Sequence, residues 1–239
     1  MNEEKLSENK ISVKQNKFLK WLDNYWYHYK WPTIVVAFFV VVFSVCLIQS
    51  WTNDEKDILV TYAGPTALEA DERLDIERVL SENLPEGFGN KGTDGAAGLI
   101  PYIIYSKDQI VDMHRKEMYV DAEFNSKEYS TLNSQYKTGN GSIYMLERWL
   151  YDELIASDTK AERLKPLKEI FGYVPECAID EYGIRLGDTE LYKNSPELQV
   201  LPADTVIFLH EQIFGQKKYE KQIEAFKKFA LPAAKEVTE

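Results

Sequence analysis

Between Lys30 and Asp54 the chain carries no charge, and from Ile34 to Ile48 only Ser44 and Cys46 interrupt an otherwise apolar or small-residue run. Counted from Trp31 to Trp51 the stretch has 21 residues. At ~1.5 Å per residue they reach about 31 Å as a helix, close to the roughly 30 Å hydrocarbon thickness of a bilayer. Twelve of the fifteen residues Ile34 to Ile48 are Ile, Val, Phe or Leu. At roughly −0.3 to −0.6 kcal/mol each on the insertion scale they supply about −4 to −7 kcal/mol. Valines favour strands in water, but in hydrocarbon a lone segment satisfies its own backbone only as a helix. The expectation is a single transmembrane helix over 31–51, anchored in the lipid bilayer through Trp31, Ile34, Phe38, Val42, Ile48 and Trp51. Tyr25, Trp26, Tyr27, Tyr29 and Trp31 crowd one end and Trp51 marks the other, the placement of rings at headgroup level. Pro32 suits a first helical turn.

Lys14, Lys17, Lys20 and Lys30 flank the run on its N-terminal side, against Lys56 alone in the twenty residues beyond it. This places the N-terminus in the cytoplasm and the remainder outside the cell membrane. A cleaved signal peptide is a rival reading, but cleavage after Ser50 puts Ile48 where a small residue is preferred. A lipid anchor on Cys46 needs a small residue before it, where Val45 stands. Residues 1–30 then form a basic, aromatic juxtamembrane segment. Its stretch Lys17 to Lys30 reads as an interfacial helix on the inner leaflet, or as a docking site for a cytoplasmic partner.

Residues 52–56 are a short polar spacer and 57–239 a globular extracytoplasmic domain. Residues 1–51 hold six lysines against four acidic residues, so the chain's −11 leaves −13 on the remainder. That field repels phosphate backbones and excludes general nucleic-acid binding. Cys177 has no second thiol in the domain, which must be held by packing.

Asp57 to Ala63 reads as a first strand ended by Gly64 and Pro65. Thr66 and Glu69 have the form of a capping box ahead of a helix carrying Ile76, Val79, Leu80 and Leu84. A Gly-rich loop, 87–98, precedes a second strand over Leu99 to Tyr105. Helical sequence resumes near Asp121 with Phe124, Tyr129, Leu132 and Tyr136 on one side. Ser142 to Leu146 is a short buried strand, followed by short helices over 149–155 and 164–171. Ala178 to Leu186 and Thr205 to His210 read as extended, the latter as an interior strand. Tyr219, Ile223, Phe226 and Phe229 define a last amphipathic helix. The fold class is therefore α/β, an N-terminal transmembrane helix followed by a compact three-layer domain with at least part of its sheet parallel.

Gly87-Phe88-Gly89-Asn90-Lys91-Gly92 matches the dinucleotide pattern, but it follows a helix and precedes a strand, the reverse of what phosphate binding requires. Asn90 and Asp94 do not complete a calcium loop. His28, His114 and His210 are scattered, so no zinc set, cofactor site or catalytic residue is indicated. No nucleophile or metalloprotease motif occurs. The tyrosines read mainly as packing residues, with a ligand-stacking role the sharper alternative. A cleft in a parallel sheet lies beyond the C-terminal strand ends, which nominates Gly64, Pro65, Tyr105 and Glu147 as ligand-binding positions.

The order WLDNYWYHYKW, an apolar span, DILVTYAGP, TGNGSIYML, YGIRLGDTELY and VIFLHEQ resembles a group of uncharacterised single-span extracytoplasmic proteins of Gram-positive anaerobes, over nearly the whole chain from Trp21. TGNGSIYML with Trp149 and Leu150 is also similar, locally, to bacterial extracellular solute-binding proteins. That likeness implies a reduced relative of the periplasmic-binding-protein fold and assigns no ligand residue. About 185 residues follow the span, where two full lobes need roughly 300. The functional expectation is a tethered, non-catalytic binding or accessory domain that captures a small molecule or contacts a membrane protein such as a transporter. A cell-surface hydrolase and a structural envelope subunit are the alternatives.

Overall fold

The computed structural model describes residues 17–52, 56–89, 94–138, 142–157, 162–211 and 216–232, with side chains for all of these except 17–20, 23, 48–52 and 216–218. The chain divides into two compact units, Met1–Asp54 and Glu55–Glu239.

The first unit is one helix, α1 (Lys17–Thr52), of 36 residues. Within it Asn24–Leu47 is long and apolar enough to cross a membrane, and none of that window is buried. Trp31, Ile34, Phe38 and Val42 are all exposed. The side chains of Ile48, Trp51, Lys14, Lys17 and Lys20 lie outside the described set. Pro32 does not open a helix as expected; it stands inside α1, fifteen residues from its start. A proline there removes one backbone donor from the helical ladder. Trp21, Tyr25 and Tyr29 stack ahead of it at four-residue spacing with ring centroids 5.7 and 5.4 Å apart, and one interaction bridges the position, the Tyr25 hydroxyl meeting Thr33 Oγ1 at 2.9 Å. The aromatic stretch and the apolar run therefore form a single rod rather than an interfacial helix and a separate span.

The second unit is built on a five-stranded mixed sheet in the order β2-β1-β3-β5-β4. Its strands are β1 (Ile58–Gly64), β2 (Ala97–Ile103), β3 (Ile143–Leu146), β4 (Ile184–Arg185) and β5 (Val206–Leu209). β1 pairs in parallel with β2 and β3, while β5 is antiparallel to both β3 and β4. Alternation sorts side chains to two covered faces. Ile58, Val60, Tyr62, Ile143, Met145, Ile207 and Leu209 share one core with α2 (Ala70–Glu82), α6 (Leu167–Phe171), α7 (Glu190–Asn194) and α8 (Gln216–Phe229). Tyr144, Leu146, Val206 and Phe208 share the other with α4 (Ala122–Thr138) and α5 (Arg148–Ile155). The layers are helix, sheet and helix. Tyr144 stacks on Phe208 at 5.5 Å and Tyr151 tilts against the same ring at 5.3 Å, so these tyrosines do pack.

Several boundaries differ from the sequence reading for local reasons. α2 begins at Ala70 because Glu69 and Glu72 form the capping box, three residues beyond the pair Thr66 and Glu69. A helix not anticipated, α3 (Lys107–Arg115), starts at a Ser106/Gln109 capping box and buries no residue, so it left no apolar stripe to read. Phe124 of α4 is exposed while Leu132 and Tyr136 are buried. Of the segment 178–186 only Ile184–Arg185 is strand, and Leu164 forms an isolated bridge with His210 instead of joining a helix. In the 87–98 loop, residues 90–93 fall outside the described set, including Asn90, Lys91 and Gly92 of the glycine motif.

β2 is an edge strand, and outward N–H groups on and just beyond it are taken by side chains. Ile104 N–H bonds Gly64 O on β1, so odd-numbered residues face outward. Ala97 N–H donates to Ser81 Oγ at 2.9 Å and Leu99 N–H to Glu77 Oε1 at 3.1 Å, residue 101 is proline, and Tyr105 N–H donates to Asn125 Oδ1 at 2.8 Å. These bonds and Pro101 blunt the edge against pairing with another strand. On the opposite side, Asp180 accepts from the Tyr151 hydroxyl at 2.8 and 2.9 Å and from the Tyr182 and Gly183 amides. Residue 183 must be glycine, because a Cβ would lie 2.7 Å from both the Tyr151 hydroxyl and Val206 Cγ1. Tyr151→Phe is expected to lower unfolding stability by about 1–3 kcal/mol in denaturant titration, the cost of leaving a part-buried carboxylate short of a donor. An unchanged midpoint would contradict this role.

Candidate functional site

In a parallel sheet a crevice opens where consecutive connections leave neighbouring strands toward opposite faces. β1 is followed by α2, which packs on one face, and β3 by α5, which packs on the other. β1 and β3 are adjacent. The switch point therefore lies between the ends of β1 and β3, at Gly64, Pro65 and Glu147. All three nominated positions come together there. Tyr105 does not: it follows the edge strand β2, one strand away, and its backbone is clamped by the Asn125 amide through bonds of 2.8 and 3.1 Å.

Glu147 stands at this switch point. Its N–H donates to Ala63 O at 2.8 Å, which extends the β1–β3 pairing by one rung. It occupies the N-cap position of α5, yet its side chain makes no cap bond. The carboxylate turns instead to two donors, accepting from Gln109 Nε2 on Oε1 and from Trp149 Nε1 on Oε2, each at 2.6 Å. Gln109 is itself oriented, because Ser106 N–H donates to its Oε1 at 2.8 Å and leaves only the NH₂ group to face Glu147. Burial pushes the Glu147 carboxyl above the usual carboxylate range; its two donors pull it down and the Asp204 charge pushes it further up.

Beside it stands Tyr62, fully buried. Its hydroxyl reaches the end of β1 because residue 64 is glycine, where a Cβ would sit 2.5 Å from the phenol oxygen. Thr66 is its polar neighbour. Burial raises its pKa, and the negative charges of Glu147 and Asp204 add to the shift. Asp204 itself is exposed. Tyr62, Gln109, Trp149 and Asp204 are the site residues that sequence reasoning missed. The Ser106/Gln109 box was a usable local signal for one of them, whereas Asp204 arrives from 57 residues beyond Glu147 with none.

His28 is exposed on α1 and His114 is exposed in the last turn of α3. His210, by contrast, is buried at the other end of the sheet, its ring edge-on to Tyr136 at 4.5 Å. Burial, with Arg163 adding, drops its pKa to about 4. No protein-family model matches the chain, and no curated protein or solved structure matches it significantly.

The His210 shift has a signed consequence. The unfolded chain takes up the imidazole proton near pH 6.5, whereas the folded protein resists it down to about pH 4. Stability is therefore full above pH 6.5, falls between those values by up to about 3 kcal/mol, and is flat in this term below them. Denaturant titrations at pH 7 and 4.5 are expected to differ more for the native chain than for His210→Phe; equal differences would contradict the assignment.

Proposed function

We propose that the chain is a single-pass membrane protein whose N-terminal helix tethers an extracytoplasmic α/β domain, and that this domain is a non-catalytic binding or accessory module. One observation carries the reading: the apolar window Asn24–Leu47 of α1 has none of its surface buried. An uncovered apolar rod of this length belongs in hydrocarbon, where each buried CH₂ is worth about 0.8 kcal/mol. The lysine asymmetry favours a cytoplasmic N-terminus and an extracellular domain at the cell membrane.

For the domain, support comes from the β1–β3 switch point, the position at which open α/β sheets take small molecules. The polypeptide enters the sheet at Ile58 and the switch point lies at the other end of this seven-residue strand. This arrangement, with the mixed sheet, suits a reduced relative of the solute-binding-protein fold that hands a small solute to a membrane partner such as a transporter. The raised pKa of Glu147 also fits a general acid, which favours a surface hydrolase as the second reading. Such chemistry needs a second group held at reacting distance, and Asp204 is exposed.

Topology is testable on intact cells. In a Cys46→Ser, Cys177→Ser background carrying Tyr119→Cys, whose parent side chain is 84% exposed, a membrane-impermeant maleimide is expected to label the protein without lysis. An N-terminal epitope is expected to remain on the membrane-bound chain and be reached only after lysis. Loss of that epitope from the mature protein, or labelling of residue 119 only after lysis, would contradict the reading.

A further inference from the structure

Residues 106–119 leave the sheet after β2 and come back to it with little to hold them down. Tyr105, just before this excursion, is clamped by the Asn125 amide, which bonds both its N–H and its C=O, at 2.8 and 3.1 Å. Val120, just after it, is buried. The two ends are therefore pinned, and the stretch between them is not. α3 buries none of its side chains, and Ile110 and Met113 are only half-buried. Its shape is set locally: the Ser106/Gln109 capping box opens it, and Asp108 in the first turn and His114 and Arg115 in the last complement its dipole. The turn that follows holds Glu117 at φ 60°, a left-handed conformation that a residue with a Cβ adopts at a cost. Val111, Met118 and Tyr119 stand exposed on the same stretch. Among the described residues, one side-chain hydrogen bond ties the excursion to the rest of the domain, from Gln109 Nε2 to Glu147 Oε1 at 2.6 Å.

We propose that residues 106–119 are a flap, hinged where Tyr105 meets Asn125 and latched to the end of β3 by the Gln109–Glu147 bond, which opens while the sheet stays folded. Segments that open ahead of the rest of a protein are those with few buried apolar contacts, and α3 has that character. A helix of nine residues with no buried side chain is marginal in water, so release of the latch also melts it. The hinge confines the event, because the Tyr105–Asn125 bonds and the β1–β2 pairing lie outside the part that moves. Opening frees Glu147 Oε1 and leaves the carboxylate with the Trp149 indole N–H alone of its two donors. The flap thereby sets whether this acceptor at the strand end is available to anything outside the domain. It is a property of α3 and its anchors whether or not the domain binds a solute.

Hydrogen–deuterium exchange of the full chain in lipid nanodiscs, read peptide by peptide, measures the opening. Amides of 107–116 are expected to exchange at least about tenfold faster than those of α2 and β1. Glu147→Ala removes the latch without touching the cap of α3. It is expected to speed exchange in 107–116 about tenfold further, the loss of a hydrogen bond to a charged group, with α2 and β1 unmoved. Gln109→Ala lies on a helix that buries no side chain, so it carries the same readout if Glu147→Ala does not yield folded protein. The double variant is expected to exchange no faster than Gln109→Ala alone, because both substitutions remove one bond. Exchange of 107–116 as slow as that of α2 in the native chain, or unmoved by either variant, would overturn the flap. So would exchange quickened as much in β1 as in α3, or a double variant in which the two effects simply add.

Discussion

The uncovered apolar surface of α1 is the constraint to which the rest of the chain answers. A helix of 36 residues whose apolar side chains touch no core cannot be stable in water by propensity, since helix stability in proteins comes chiefly from packing a face. Lipid removes the difficulty at once, covering the side chains while the helix satisfies its own backbone. Pro32 is accommodated inside the helix with the Tyr25–Thr33 bond spanning the turn it weakens. The residues after α1 form a separate compact unit that folds on its own apolar content around a sheet covered on both faces.

That sheet sets the position of the switch point. β1 and β3 are adjacent, and the helices that follow them pack on opposite faces. What stands at the strand ends is set by single residues. Gly64 admits the Tyr62 hydroxyl, and Glu147 withholds its carboxylate from capping α5 and gives it to Gln109 and Trp149. Capping would have been the locally cheaper use of an acidic side chain at a helix N-terminus. A local preference set aside in this way is commonly found where a protein does its work.

Much of the fold was legible because its strongest signals are periodic. Ile76, Val79 and Leu80 announced α2; Tyr219, Phe226 and Phe229 announced α8; Val206 to Leu209 announced an interior strand, and all are buried. α3 escaped because it packs no apolar face, although Ser106 and Gln109 spelled its start. The segment 187–204 folds into short 3-10 and helical turns whose contacts are long-range, and no local pattern marks them. Gly64, Pro65 and Glu147 were nominated from strand ends alone, and they meet at the switch point. Tyr105 stands one strand away from it, because the strand order is a property of pairing and not of any one segment. Gln109, Trp149 and Asp204 needed three dimensions for the same reason.

Depth-resolved quenching of tryptophan fluorescence tests the central claim, that hydrocarbon is the solvent of α1. Trp21, Trp26, Trp51 and Trp149 would be replaced by Phe, and the protein reconstituted with lipids carrying a nitroxide at the headgroup or deep in the acyl chain. With Trp31 as the remaining reporter the headgroup label is expected to quench more strongly. Moving the reporter to position 38 as Phe38→Trp, with Trp31→Phe, is expected to reverse the order and to abolish quenching by aqueous iodide. Equal quenching of the two reporters by iodide, with neither lipid label effective, would contradict the account.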